Sequence, residues 1–405
     1  MTMSLTRRRA IVLGAGSVGL LAGCVGDDDV DGPREEAVVD DELGEPDGRE
    51  IDEPQANDSD DDPDARDDSD DTEDDPEADD TDDEVDIDDP PLAEEPLFLD
   101  WDMETLQNNR ISTGARIPAI DEPVFTEPDD HDALRFDTGD EPVFGVEING
   151  EAKAYPQHIL VWHEIVNDVV GGESIAVTYC PLTGTAQAFE RGEAEFAVTG
   201  ALLNSNLIMY EESSFTIWPQ MLATGIATPA LGESLREVPV IWTTWDRWRT
   251  AYPDTQVLTE QTGYVRNYAS DPYGSYGPAE GYYADDEVLF SPLGESDEEH
   301  PKEVVIGART TDAAIAFNKA ALLEGEVMTG TLGDTPAVAV AEPELATGYV
   351  YANPDERDIE PVDDGTYEVG GEANTAADLP LERVLAYDAM WFAWYGYYPS
   401  TDYVD

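Results

Sequence analysis

Only two cysteines, four histidines and three lysines occur among the 405 residues, and basic side chains total 20 against 93 acidic ones. Each shortage excludes something. A formal charge of −73 leaves no basic face for a phosphate backbone, so nucleic acid is not an expected partner. So large an excess of one sign destabilises a compact chain by self-repulsion unless salt screens it. At about 1 M ionic strength the Debye length falls to about 3 Å, and the composition reads as that of a salt-adapted, halophilic protein. Long hydrophobic runs are missing too: beyond the N-terminus no stretch stays apolar over the roughly 18 residues that a membrane-spanning helix needs.

What is present begins with an address. Arg7, Arg8 and Arg9 precede a short apolar run that ends in Leu21-Ala22-Gly23-Cys24. A basic, an apolar and a small-residue segment in that order make a signal peptide over 1–24, with the arginine pair of the twin-arginine route. The last four residues look like a lipobox, in which the cysteine takes a lipid and becomes the new N-terminus. The expected location is therefore extracytoplasmic, with Cys24 lipidated and the chain anchored to the outer face of the membrane. Residues 25–96 follow, rich in aspartate and glutamate and too poor in apolar side chains to offset the entropy of ordering. They read as a disordered tether; a neutral flexible chain of roughly 70 residues spans about 45 Å.

Aromatic and β-branched residues return at Leu97, and the rest of the chain is long enough for a large core. It reads as two similar halves, 97–262 and 302–405, joined by a Tyr/Gly-rich loop over 263–301. "VFGVEINGEAKAYPQHIL" from Val143 matches "VIGARTTDAAIAFNKAAL" from Val305. "WDRWRTAYPDT" from Trp245 matches "WFAWYGYYPST" from Trp391 at a smaller offset. Two matched motifs in one order indicate duplication. Within a half the pattern predicts a hairpin turning at Asn149-Gly150, a helix over 157–168, an apolar strand "SIAVTY", a second hairpin made of "TAQAFE" and "AEFAVTG", and a short helix at "WDRWRTAYP". The expected fold class is α+β and β-dominated, with antiparallel sheets and short helices built twice.

Duplication also sorts candidates for chemistry. Features shared by both halves read as architecture, whereas those confined to one half are free to serve a site. At the first offset His163 meets Gly325, and with a one-residue gap Cys180 meets Ala341. Once Cys24 carries a lipid, Cys180 is the single remaining thiol, and a dithiol redox centre within one chain is excluded. Cys180 closes an apolar strand and His163 lies on the preceding helix. Were the two to meet, the imidazole would lower the thiol pKa and make a nucleophile, or the pair would hold a soft metal such as copper or zinc. The competing reading makes Cys180 a small buried hydrophobe and His163 a hydrogen-bonded core residue. His158 stands about 140° from His163 on a helix, so the two share no face for a two-histidine site. Met209 and Met221 are further soft donors that equally suit a core. Asn204, Ser205 and Asn206, with Trp218 and Gln220, either line a pocket beside the thiol or form an ordinary turn. The tyrosine-rich stretch over 264–283 serves as a lid or as a connector.

Together "AYPQHILVWHEIVNDVVGGESIAVTYCPLTGTAQAFE", "TGALLNSNLIMYEESSFTIWPQ", "DPYGSYG" and "WFAWYGYYPSTDYV" resemble the DUF3179 family of exported or anchored proteins, over nearly all of residues 97–405. The resemblance implies no activity, because the family has none settled. It implies that His163, Glu164, Asn167, Asp168, Cys180, Pro181, Asn204, Trp218, Gln220 and Lys302 belong to a shared pattern, and it adds Lys302 to the candidate ligand-binding residues. Relatives carry a second cysteine where Thr183 stands here, a departure that argues against a two-thiol redox pair or a four-thiol zinc site. Two functions stay open at this point. One is a Cys180/His163 pocket acting as soft-metal site or thiol nucleophile. The other is a non-catalytic surface protein that binds a solute or assembles with another chain, its thiol structural.

Overall fold

The computed structural model describes residues 90–130, 139–363 and 365–405. The signal peptide with Cys24, the tether as far as residue 89, and His131 lie outside them. The first half opens with a hairpin of β1 (Pro142–Ile148) and β2 (Glu151–Pro156). Its turn is Asn149-Gly150, both left-handed at φ 52° and 85°, the geometry whose twist suits adjoining strands. Then come α1 (Gln157–His163), β3 (Ile165–Val170), β4 (Glu173–Cys180) and β5 (Thr185–Glu190), followed by an inserted group, β6 (Phe196–Leu203), β7 (Asn206–Glu211) and β8 (Ile217–Pro219). The half closes with β9 (Ile241–Thr244), α2 (Trp245–Ala251) and β10 (Gln256–Leu258).

The second half repeats this plan. It runs β11 (Val304–Arg309), β12 (Ala314–Asn318), α3 (Lys319–Gly325), β13 (Val327–Leu332), β14 (Thr335–Glu342) and β15 (Thr347–Ala352), and ends with β16 (Ala386–Met390), α4 (Trp391–Tyr397) and β17 (Asp402–Val404). Sheet order agrees as well. β9-β1-β2-β10 corresponds to β16-β11-β12-β17, and in both the last pair is parallel. The antiparallel meander β3-β4-β5, edged by Glu237–Val238, corresponds to β13-β14-β15, edged by Glu382–Val384. The halves differ in what lies between the meander and that edge strand: β6–β8 in the first, a three-stranded sheet over 359–375 in the second. The second insertion is the shorter, which accounts for the smaller offset of the Trp motif.

The shared residues are indeed architecture. A Cβ at Gly145 would overlap the Trp248 ring, and one at Gly307 the Trp394 ring. Each indole nitrogen donates to the threonine that ends its motif, Trp248 to Thr255 at 2.9 Å and Trp394 to Thr401 at 3.0 Å.

Two sequence expectations are corrected. The helix over 157–168 ends at His163, because Glu164 turns left-handed (φ 59°) and its N–H closes on the Leu160 carbonyl at 2.7 Å. The residues beyond it, Ile165, Val166, Val169 and Val170, are β-branched and pair with β4 instead. The expected second hairpin also fails. β5 pairs with β4, whereas β6 pairs with β7 in another sheet; alternation marks both as strands but does not choose their partners. Among the described residues no helix is long and apolar enough to cross a membrane.

β4 stands between two cores. Ile175, Val177 and Tyr179 join Ile159 and Leu160 of α1. Ala176 and Cys180 face the opposite way, among Leu203, Leu207, Met390 and Trp391.

Candidate functional site

That alternation separates the pair that the sequence brought together. Successive side chains of a strand point to opposite faces, so Tyr179 faces α1 and Cys180 faces away from it. His163 is fully buried, with Nδ1 2.8 Å from the Pro118 carbonyl and Nε2 2.7 Å from the Tyr268 hydroxyl. A carbonyl only accepts, so Nδ1 carries the proton and Nε2 accepts from Tyr268, whose oxygen accepts in turn from Thr262 at 2.6 Å. Burial, aided by Arg266, lowers the histidine's pKa against the opposing pull of Pro118. Both nitrogens are thus committed, neither of them to Cys180, and the Cys180/His163 pair does not form.

The thiol is 1 % exposed and its Sγ lies 3.8 Å from the Ser205 carbonyl. Burial first, then the nearby Glu164 carboxyl, push it up to about 11 against hydrogen bonds at Thr183 and Leu207. A protonated thiol is a poor nucleophile and a poor metal ligand. Among the described residues no three histidine, cysteine or carboxylate side chains gather as a metal site. His158 reaches toward Glu260 at 3.8 Å, while Met209 and Met221 are buried in the same core as Cys180.

The polar residues after β6 form a turn, but a buried one. Asn204 and Ser205 are both left-handed (φ 54° and 62°) between the paired residues Leu203 and Asn206. Asn204 donates to the Ala393 carbonyl and accepts from Leu293 N–H, both at 2.8 Å. Ser205 donates to the Phe290 carbonyl at 2.6 Å. Asn206 donates to Thr183 at 3.0 Å and to Gln220 Oε1 at 2.8 Å, and accepts from Met221 N–H at 3.0 Å. Gln220 donates to Thr178 at 2.8 Å and to the Thr185 carbonyl at 3.2 Å. These side chains moor the inserted hairpin to α4 and to the connecting loop. Lys302 clasps that loop as well: its Nζ donates to the Tyr282 carbonyl and lies 3.5 Å from the Tyr282 ring centre. Trp218 is buried, and its indole N–H has no hydrogen-bond partner among the described residues. It lines a separate cavity with Thr216 and Pro229.

What the structure does bring to Cys180 is Glu164. Its left-handed backbone turns the side chain out of the end of α1 into a cavity of about 260 Å³, which it lines with Leu182, Val198, Leu202, Tyr273 and Phe290. The residue is 7 % exposed, and its carboxyl makes no hydrogen bond among the described residues. Burial alone pushes it up to about 8, the expected direction for a carboxyl in apolar surroundings. One wall belongs to the segment over 113–117, which packs so closely that a Cβ on Gly200 (φ 69°) would run into the Ala115 carbonyl. Another wall is the connecting loop, through Tyr273, Leu289 and Phe290.

Glu164 escaped the sorting by halves because Glu326 occupies the matching place. Both are left-handed (φ 59° and 65°) and both end a helix, so the pair reads as architecture. Only the resemblance had named it. The partner of Cys180 in the second half also needs correcting. Cys180 pairs with Thr185 as Glu342 pairs with Thr347, so the match is Glu342 with no gap, not Ala341.

No curated protein and no solved structure matches the chain. A family model described as a protein of unknown function, DUF3179, matches residues 115–401, and the chain belongs to that family.

Proposed function

We propose that this member of the DUF3179 family is a lipid-anchored, extracytoplasmic solute-binding protein, tethered through Cys24, with one ligand cavity at Glu164. The address rests on the arginine pair and the lipobox-like end of the leader; the acidic stretch after it serves as the spacer between lipid and fold. The observation that carries the binding reading is a largely buried carboxyl, with no hydrogen-bond partner among the described residues, facing a largely apolar cavity. A carboxyl so placed is open to a donor on a ligand, and a concave, mostly apolar site with few polar groups is what small ligands use. Size fits as well. A cavity of about 150 Å³ holds benzene, so 260 Å³ suits one ring with a short side chain. The thiol is the weaker centre for chemistry: with Cys180 pushed up to about 11, only about one molecule in ten thousand is thiolate at neutral pH.

The test is thermal stabilisation in high salt by single-ring solutes of each charge type, 2-phenylethanol, phenethylamine and 3-phenylpropionate. The expected result is that at least one raises the Tm of the native chain and none raises that of Val198→Trp, which fills the cavity. No shift with any of them, or equal shifts in both proteins, overturns the reading.

A further inference from the structure

We infer that the ligand of the Glu164 cavity is a small organic cation, an ammonium group on an apolar body of about one ring. The inference rests on reading that cavity as a ligand site. It starts from how this chain treats two of its other buried acids. Asp168 holds the ammonium of Lys153 at 3.0 Å through both oxygens, with Tyr155 donating at 2.7 Å. Asp388 holds that of Lys319. Two of the three lysines in the chain thus sit on a buried aspartate, whereas Glu164 has no cation partner among the described residues.

The surroundings of Glu164 allow only one sign of partner. No basic residue lines the cavity among the described residues. Among the described residues the ionisable groups that feel the Glu164 charge are Cys180, at the end of β4, and Tyr273, from the connecting loop. Both gain negative charge on ionising, so neither can neutralise a carboxylate, and a bound anion would add to the repulsion. An ammonium supplies what Lys153 supplies to Asp168. Tyr273 and Phe290 add aromatic wall, which favours a cation over a neutral group, and the net charge of −73 draws cations toward the molecule to the extent that salt permits.

Protons distinguish this ligand from a neutral one. Glu164 is protonated in the empty cavity below about pH 8. When R–NH₃⁺ enters, the carboxyl ionises, its proton leaves to solvent, and a carboxylate–ammonium pair forms. Affinity then rises about tenfold for each pH unit up to about 8 and levels off above it. A neutral hydrogen-bond acceptor needs the protonated acid and behaves in the opposite way.

The experiment is calorimetric titration of the native chain in high salt with phenethylamine, 2-phenylethanol and 3-phenylpropionate, at pH 6.5 and pH 9. Buffers of different ionisation enthalpy count the protons. The expected result is that phenethylammonium binds best, releases about one proton at pH 6.5 and none at pH 9, and gains roughly 30-fold in affinity between them. Glu164→Gln should lose at least tenfold for the amine and little for the alcohol. The alcohol or the acid binding more tightly than the amine, with Val198→Trp abolishing it, overturns the cation and leaves the cavity reading standing. Amine binding that survives Val198→Trp, or no binding by any probe, overturns both.

Discussion

The two halves share one scaffold and close the same place differently. After its first helix each turns through a left-handed glutamate, and each then runs a strand past it. In the second half the inserted sheet fills the space over that strand: Val338, Val340, Tyr349 and Tyr351 pack against Tyr367 and Val369. The Tyr367 hydroxyl donates to the carbonyls of Ala341 at 2.7 Å and Glu326 at 3.2 Å, while the Glu326 side chain stays half-buried at the surface. In the first half the insertion is the β6–β8 group, and its β6, with the 113–117 segment and the connecting loop, walls a space beside Glu164 that stays unfilled. The scaffold thus supplies the acid twice, and the segments packed over it, the insertion among them, decide whether it ends at the surface or in a cavity.

The largest effect expected from breaking this comparison is Tyr367→Ala, which opens in the second half a space that the first half keeps. Loss of a buried ring with its cavity costs about 3–5 kcal/mol, read as a lower denaturation midpoint. A cost below about 1 kcal/mol would mean that Tyr367 does not act as a plug. Next come Gly145→Ala and Gly307→Ala, which push a methyl into the Trp248 and Trp394 rings. Each should cost about 2 kcal/mol, and the near-equality of the two is the point. A twofold larger cost in one half would contradict a common architecture.

The duplication was legible because glycine against tryptophan, and indole against threonine, recur at constant spacing whatever the insertions do. The site was less so, for separable reasons. Cys180 was matched with the wrong partner because the helix packs on the odd positions of β4, a parity already present in Ile175, Val177 and Tyr179. Glu164 is hidden by its own duplicate: what differs between the halves is its burial, and burial comes from segments distant in sequence, β6, 113–117 and the connecting loop. The Asn204-Ser205 turn is local, but its partner Ala393 lies 189 residues away, beyond any short-range pattern.

A third prediction sharpens the contrast between the two glutamates. Folding moves Glu164 from about 4.5 up to about 8, so the unfolded chain ionises first as pH rises. Stability is then fully present below about pH 4.5 and falls by about 1.4 kcal/mol per unit until about pH 8, above which this contribution is constant. Glu164→Gln should remove that slope, and Glu326→Gln should leave it unchanged. Equal slopes in native chain and Glu164→Gln would contradict the burial of this acid. The smallest effect concerns the thiol. Buried and protonated, Cys180 should react with iodoacetamide at less than about a hundredth of its rate in the unfolded chain. Rapid alkylation of the folded protein would return it to consideration as a nucleophile.

The most direct test of the central claim is the infrared difference spectrum of the folded chain against Glu164→Gln, followed from pH 5 to pH 10 in high salt. The account expects a protonated-carboxyl band missing from the variant, persisting at pH 6.5 and lost near pH 8, and discharged at pH 6.5 when phenethylamine binds. A native spectrum that shows this carboxyl already ionised at pH 5 would contradict it.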